Sequence, residues 1–211
     1  MATHVVTVVD YGVGNIFSVR RALESVGAEV VLTSDVERIS DADRLVLPGV
    51  GAFSDGMREL RERGLVNVLR AYGESGRPML GICLGMQLLG SSSTEFGMHE
   101  GLGLIPGSVV QIPRYTTTDQ PQRVPSIGWC QLHTHKHVRD DDVIGNRCEY
   151  VYMVHSYHLR TDDPVHTTHS YDYGGHQLTA AIRLGKVWGT QFHPEKSGTV
   201  GLRMLASWVK V

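Results

Sequence analysis

Hydrophobic and polar positions alternate in two registers along this chain. Val5 to Val9 is a short apolar run broken only by Thr7, and it ends in the glycine-rich turn Asp10-Tyr11-Gly12-Val13-Gly14-Asn15. Beyond it Ile16, Val19, Leu23 and Val26 recur at three- and four-residue spacing, which predicts a buried strand followed by one helix face. Gly27 stops that helix, and Glu29 to Leu32 predicts the next strand. Arg44 to Leu47 predicts a third strand closed by Pro48-Gly49-Val50-Gly51, and Leu60, Leu65, Val68 and Leu69 predict a second helix. Pro78 to Ile82 is a fourth strand running straight into Cys83.

Strands that alternate with helices imply βαβ units and a mainly parallel sheet covered on both faces. Right-handed crossovers then bring the turns after Val9, Leu47 and Ile82 together at one sheet edge, where chemistry is expected. From Gly101 to about Arg183 the pattern changes to short β-rich runs, such as Glu149 to Val154 and Leu178 to Ile182, separated by polar stretches. These predict antiparallel strands added to the parallel sheet. Val187 to Phe192 is a late strand, and Val200, Met204, Leu205 and Trp208 mark a closing helix. With no repeat or low-complexity linker in view, one α/β domain over residues 1–211 is expected.

Composition narrows the functional classes. The 211 residues are 41% hydrophobic and 20% charged, with 20 basic against 22 acidic residues, so no electrostatic footprint for nucleic acid or an anionic membrane is present. No apolar run is long enough for a membrane span or a signal-peptide core, which leads us to expect a cytoplasmic protein. Three cysteines without a C-x-x-C pair argue against a disulfide framework.

Among those cysteines, Cys83 has distinctive surroundings. Gly81-Ile82-Cys83-Leu84-Gly85 has the G-x-nucleophile-x-G form between an apolar strand and the stretch Met86-Gln87-Leu88-Leu89. Glycines permit the strained strand-to-helix turn that presents a nucleophile, and the following helix start favours a thiolate. Its first N–H groups, beginning with Leu84, suit an oxyanion. The same residues also fit a buried cysteine in a tight turn. Cys130 and Cys148 lack such a setting and are expected to be inert.

A base is available at Gln191-Phe192-His193-Pro194-Glu195. Residues two apart in extended chain share a face, so His193 and Glu195 can touch, and a carboxylate beside an imidazole fixes its tautomer. Among eleven histidines a solvated strand-end residue is the competing explanation. Pro48-Gly49-Val50-Gly51-Ala52-Phe53 lets backbone N–H groups approach a ligand, yet it matches neither the Walker A nor the dinucleotide fingerprint and reads equally as a plain turn. His133, His135 and His137 fall on one side of an extended segment; a solvated polar edge explains them better than metal ligation, so no metal is expected. His166, His169 and His176 read as loop residues.

Taken together, the segments Asp10–Asn15, Pro48–Phe53, Gly81–Leu89, Val154-His155-Ser156-Tyr157 and Gln191-Phe192-His193-Pro194-Glu195-Lys196-Ser197-Gly198 resemble class I glutamine amidotransferases, and within them the glutaminase subunit of imidazole glycerol phosphate synthase. The resemblance implies a flavodoxin-like fold and hydrolysis of L-glutamine to glutamate and ammonia without a cofactor. It implies Cys83 as nucleophile, His193 as general base and acid, and Glu195 as its orienter. It further implies an oxyanion hole from Leu84 and the Gly49-Val50-Gly51 turn, and a glutamine pocket from Gln87, Glu95, Ser156 and Tyr157. Asn15, Trp129, Tyr157 and Lys196 would face a synthase (cyclase) subunit in a heterodimer, which takes the ammonia for imidazole glycerol phosphate and AICAR in histidine biosynthesis.

One segment departs from that pattern. Where the family usually reads Val-Pro-His-Met-Gly-Trp-Asn, this chain has Val124-Pro125-Ser126-Ile127-Gly128-Trp129-Cys130, and the stretch from Tyr115 to Arg123 is longer and more polar. The changes are expected at the partner side, which keeps open a paralogous subunit feeding a surface-sugar amidotransferase. A cysteine hydrolase of another reaction class and a non-catalytic binding module are the remaining alternatives.

Overall fold

A computed structural model describes residues 4–138, 142–145 and 149–211. In chain order its elements are β1 (His4–Val9), α1 (Ile16–Ser25), β2 (Ala28–Thr33), α2 (Val36–Ser40), β3 (Leu45–Leu47), α3 (Phe53–Glu62), α4 (Leu65–Glu74), β4 (Met79–Ile82) and α5 (Leu84–Leu88). There follow β5 (Gly90–Ser93), β6 (His99–Glu100), β7 (Ile105–Gln111), β8 (Ser126–Gln131), β9 (His133–Thr134), β10 (Tyr150–His155) and β11 (Tyr157–Thr161). The chain closes with β12 (Thr167–Tyr173), β13 (His176–Leu184), β14 (Val187–Thr190) and α6 (Gly198–Trp208). Cys148 lies outside the described residues.

The central sheet has the order β2-β1-β3-β4-β14-β13-β12-β9. Its first five strands are mutually parallel and the other three antiparallel, the mixed α/β architecture expected from the sequence. Two buried clusters fill its faces. One gathers Val6, Val8 and Leu80 with Leu23 of α1 and Met204, Leu205 and Trp208 of α6. The other gathers Leu45, Leu47 and Met79 with Met57 and Leu60 of α3 and Leu65 and Leu69 of α4.

Three expectations need correction. The helix read from Leu60 to Leu69 is two helices, because Gly64 takes a left-handed φ of 67° and starts α4 on a new axis. Only β12, β13 and β9 extend the central sheet. The other antiparallel strands form a separate four-stranded sheet, β11-β7-β5-β6, and a two-stranded ribbon, β10-β8. His169 and His176 are no loop residues: His176 opens β13, and His169 is fully buried on β12 with its Nε2 3.0 Å from the Gly145 carbonyl. The short helix α2 was missed. It is capped by the Asp35 carboxylate, which accepts the Arg38 N–H at 2.9 Å.

Candidate active site

The sheet register itself brings the candidate residues together. β4 and β14 are parallel neighbours with Thr190 opposite Ile82, so Cys83 leaves one strand end directly beside Gln191 and His193 leaving the other. The Cys83 N–H donates to the Thr190 carbonyl at 2.7 Å and locks the two ends. Cys83 then adopts φ 55° and ψ −112°, a backbone state costly for a non-glycine residue and the sharp turn read from the sequence.

Packing dictates the glycines on either side. A Cβ on Gly85 would overlap the Leu47 carbonyl oxygen, and one on Gly81 would sit 2.8 Å from the Gly85 carbonyl. The helix after the turn is only five residues long, so close approach to β3 places Cys83 more than any long macrodipole.

His193 and Glu195 meet, by a route other than the one expected. The strand ends at Thr190, and residues 194–196 form a 3₁₀ turn with Pro194 in first position. His193 is the extended residue before that turn, and its Nδ1 lies 2.8 Å from Glu195 Oε1. Both side chains are almost wholly buried. Burial alone lowers the imidazole pKa; hydrogen bonds to Cys83 and Glu195, with the negative charges of both, overcome it and raise His193 to about 9. Such an imidazole holds its proton at neutral pH beside the Cys83 sulfur. Ser197 braces it from behind, accepting the Tyr152 N–H at 3.0 Å and donating to the His193 carbonyl at 2.7 Å.

A cavity of about 350 Å³ opens over the sulfur. Val50, Gly51, Leu84, Gln87, Glu95, Ser156, Tyr157 and Lys196 all line it, alongside Cys83 and His193. Gly49 stands behind the wall, where a Cβ would press on the Tyr11 hydroxyl at 2.7 Å and the Gly85 nitrogen at 2.9 Å. Gly51 carries a φ of 99°, the one position in that turn whose backbone favours glycine.

Two pocket residues have structural work as well. Glu95 Oε2 accepts the Phe53 N–H at 2.7 Å at the start of α3, which ties the pocket floor to a helix N-terminus. Gln87 spends its amide hydrogens on the Tyr157 carbonyl at 2.7 Å and on Gln191 Oε1 at 3.1 Å.

Asn15 begins α1, and the 3₁₀ turn bearing the exposed Lys196 packs on that helix and on β10. Trp129 projects from β8, the partner strand of β10, and is 57% exposed with its ring edge-on to Tyr152. Of the three, Lys196 lines the cavity, whereas Asn15 and Trp129 stand outside it on elements that pack against, or pair beside, that turn. Ser126 and Cys130 do not share the exposed face of Trp129. Strand alternation turns both inward, Ser126 is buried, and burial pushes the Cys130 thiol up.

Sequence reasoning missed Tyr11, Gln191, His155 and Ser197. Tyr11 is fully buried, donates from its hydroxyl to the Pro48 carbonyl at 2.7 Å and pins the first edge turn to the second. A tyrosine inside a glycine-rich turn was the one signal for it. Among the described residues no group of three or more His, Cys, Asp or Glu side chains could hold a metal, and no helix is long and apolar enough to cross a membrane.

A cysteine on a strained elbow, a paired imidazole and carboxylate, and glycine-rich turns at one edge of a mainly parallel sheet define the class of thiol-dependent hydrolases. Residues 7–210 match the model of the family glutamine amidotransferase class-I, and the chain belongs to that family. It is 43% identical over 210 residues to imidazole glycerol phosphate synthase subunit HisH 1 of Legionella pneumophila (strain Lens), covering 98% of this chain and 99% of that one. It is 44% identical over 207 residues to subunit HisH of Geobacillus kaustophilus (strain HTA426), covering 97% and 95%. Its fold is similar to a crystal structure of a glutamine amidotransferase, with a TM-score of 0.73 at 20% identity over 97% of this chain and 99% of that one. A similar likeness holds to PurLQS from Thermotoga maritima, with a TM-score of 0.72 at 20% identity over 99% of both chains.

Proposed function

We propose that residues 1–211 act as one cytoplasmic glutaminase domain that hydrolyses L-glutamine and passes ammonia to a synthase (cyclase) subunit bound as a heterodimer, in the imidazole glycerol phosphate synthase reaction of histidine biosynthesis. The observation that carries it is the meeting of Cys83 and His193 in a single cavity, with Glu195 bound to the far side of the imidazole, in a chain related over nearly its whole length to HisH subunits.

The chemistry follows from the geometry. Cys83 sulfur attacks the side-chain carbonyl carbon of glutamine, and the N–H groups of Leu84 and of the Gly49-Val50-Gly51 turn take up the oxyanion. The His193 proton goes to the leaving nitrogen, giving ammonia and a thioester, and the neutral imidazole then takes a proton from the water that releases glutamate. Glu195 holds the imidazole in one tautomer. Gln87, Glu95, Ser156 and Tyr157 shape the site around the amino-acid end of the substrate.

An exposed apolar face beside the cavity supports the subunit reading. Ile127, Trp129 and Tyr150, at 62%, 57% and 53% exposure, project from the outer side of the β8–β10 ribbon, whose far end at Val154 reaches the cavity. Asn15, Trp129 and Lys196 are the contacts assigned to the cyclase subunit. The inward-facing Ser126 and Cys130 present nothing to a partner, and Ile127 keeps an apolar side chain on the exposed face where the family has Met.

The test is glutamate release by the purified chain, alone and with a cyclase subunit loaded with its acceptor. The expected result is stimulation and complex formation. Equal turnover in both mixtures, or no complex, overturns the subunit reading.

A further inference from the structure

Behind the cavity wall runs a chain of hydrogen bonds that ends on the nucleophile. It starts at Tyr171 on β12, fully buried in the central core, whose hydroxyl lies 2.9 Å from His155 Nε2. The other ring nitrogen, Nδ1, lies 2.9 Å from the Tyr157 carbonyl. That carbonyl also accepts the Gln87 Nε2–H, whose second hydrogen goes to Gln191 Oε1, and Gln191 Nε2 points at Cys83 Sγ from 3.8 Å.

The donor and acceptor roles along this path are forced. A backbone carbonyl only accepts, so the Gln87 atom beside Tyr157 must be its NH₂ group. The Gln191 atom facing that NH₂ must then be its oxygen, which leaves the Gln191 NH₂ turned toward the sulfur. The same carbonyl requires His155 to carry its hydrogen on Nδ1, so Nε2 accepts and Tyr171 donates. Burial keeps His155 neutral by lowering its pKa to about 3, so this tautomer persists across the working range. Every member is buried or lies in the cavity wall, where an unmade hydrogen bond is costly and each link constrains the next.

We propose that Gln191 is a hydrogen-bond donor to the Cys83 thiolate, and that Tyr171 and His155 are positioning residues that hold its amide in that orientation through Tyr157 and Gln87. The proposal rests on Cys83 being the nucleophile. It also gives the 155–157 segment a second role. This corner passes the chain from the β8–β10 ribbon to the four-stranded sheet, walls the substrate cavity, and relays order from the core to the sulfur.

The experiment is the rate of Cys83 alkylation by iodoacetamide as a function of pH, read by mass spectrometry of the Cys83 peptide so that other cysteines do not interfere. The titratable groups facing the sulfur are His193 and Tyr11, and those facing His155 are His158, His193 and Tyr171. Only Tyr171 among them is altered. Gln191→Leu is expected to slow alkylation about tenfold below pH 7 and to move the profile to higher pH, since a hydrogen bond to a charged group is lost. At high pH the rate should equal or exceed that of the unaltered protein, because a less stabilised thiolate is the stronger nucleophile.

Tyr171→Phe deletes one hydroxyl and is expected to give a shift of the same kind, about threefold, that vanishes in the Gln191→Leu background. Gln87→Met, which frees the Gln191 amide, should behave like Tyr171→Phe and serves if Gln191→Leu does not fold. A merely structural tyrosine would change stability and leave the alkylation profile in place. Profiles of Tyr171→Phe and Gln87→Met that superimpose on the unaltered one overturn the proposal, as does a Tyr171→Phe shift that persists without Gln191. Full glutaminase activity in Cys83→Ala would instead remove the nucleophile assignment beneath it.

Discussion

Replacing Glu195 by Gln removes one charge while keeping the shape of the side chain, so it isolates what the carboxylate contributes. The rise of His193 from 6.5 to about 9 corresponds to about 3 kcal/mol in favour of the imidazolium, held up jointly by Cys83 and Glu195 against the opposing effect of burial. Cys83 contributes ahead of Glu195, so loss of the carboxylate should remove only part of that support and lower kcat/KM about tenfold, most at alkaline pH. The limb on which activity falls at high pH should move down from about 9 toward 7, because the proton needed by leaving ammonia is given up earlier. Stability should follow the same group. A histidine whose folded pKa is raised stabilises the fold fully below pH 6.5 and loses that contribution as pH climbs through 9, so Glu195→Gln should flatten the decline between these values. Steady-state glutamate release from pH 6 to 10, with urea unfolding at both ends, measures both. A variant as inactive as Cys83→Ala, yet folded, would show the carboxylate to be more than an orienter; an unmoved high-pH limb would show that it does not support the imidazolium.

The other expectations are more compact. Cys83→Ala should abolish glutamine hydrolysis while ammonia-dependent synthesis by the assembled complex continues, a difference that assays with each nitrogen source read directly. Gly85→Ala forces a methyl into the Leu47 carbonyl and should cost about 3 kcal/mol in urea unfolding, with loss of Cys83 labelling. Acid should destabilise the fold: burial lowers His155 to about 3 and His158 to about 4, so stability of roughly several kcal/mol drains away as pH falls from 6.5 through those values, and His155→Gln should reduce the slope. Trp129→Ala should weaken affinity for the cyclase subunit about tenfold by titration calorimetry while leaving basal glutamine hydrolysis unchanged, since its exposed ring stands outside the cavity.

Much of the parallel half was legible because burial on both sheet faces leaves apolar runs, and the crossover rule then fixes where their ends meet. The elbow at Cys83 was legible for a related reason: close approach of backbone to backbone admits only glycine, and glycines are visible in a sequence. The His193–Glu195 pair was found through an extended-chain argument although the residues lie on a 3₁₀ turn, since both geometries bring these two side chains together. What stayed hidden were the partners of amides and hydroxyls. Nothing local in the sequence indicates that Gln191 would meet Gln87, 104 positions away, or that Tyr171 would reach His155. Such links are long-range consequences of sheet order, and periodicity reports only which face of an element is buried.

Strand alternation also resolves the one segment that departs from its family. Along β8 the side chains of Ile127 and Trp129 go outward and those of Ser126 and Cys130 inward, so a single strand carries a surface for a partner and a surface for the core. The departures at 126 and 130 fall on the core side, and the one at 127 on the exposed side. Ser126 stands directly across the ribbon from His155, where a small side chain leaves room under the corner that Tyr171 fills from β12. Substitution there acts on the cavity wall at His155, on the side of the strand away from the exposed Trp129. The same six residues thus carry departures on both faces: those at 126 and 130 lie against the core behind the cavity wall, and that at 127 lies beside Trp129 on the exposed face, so the two faces can vary independently.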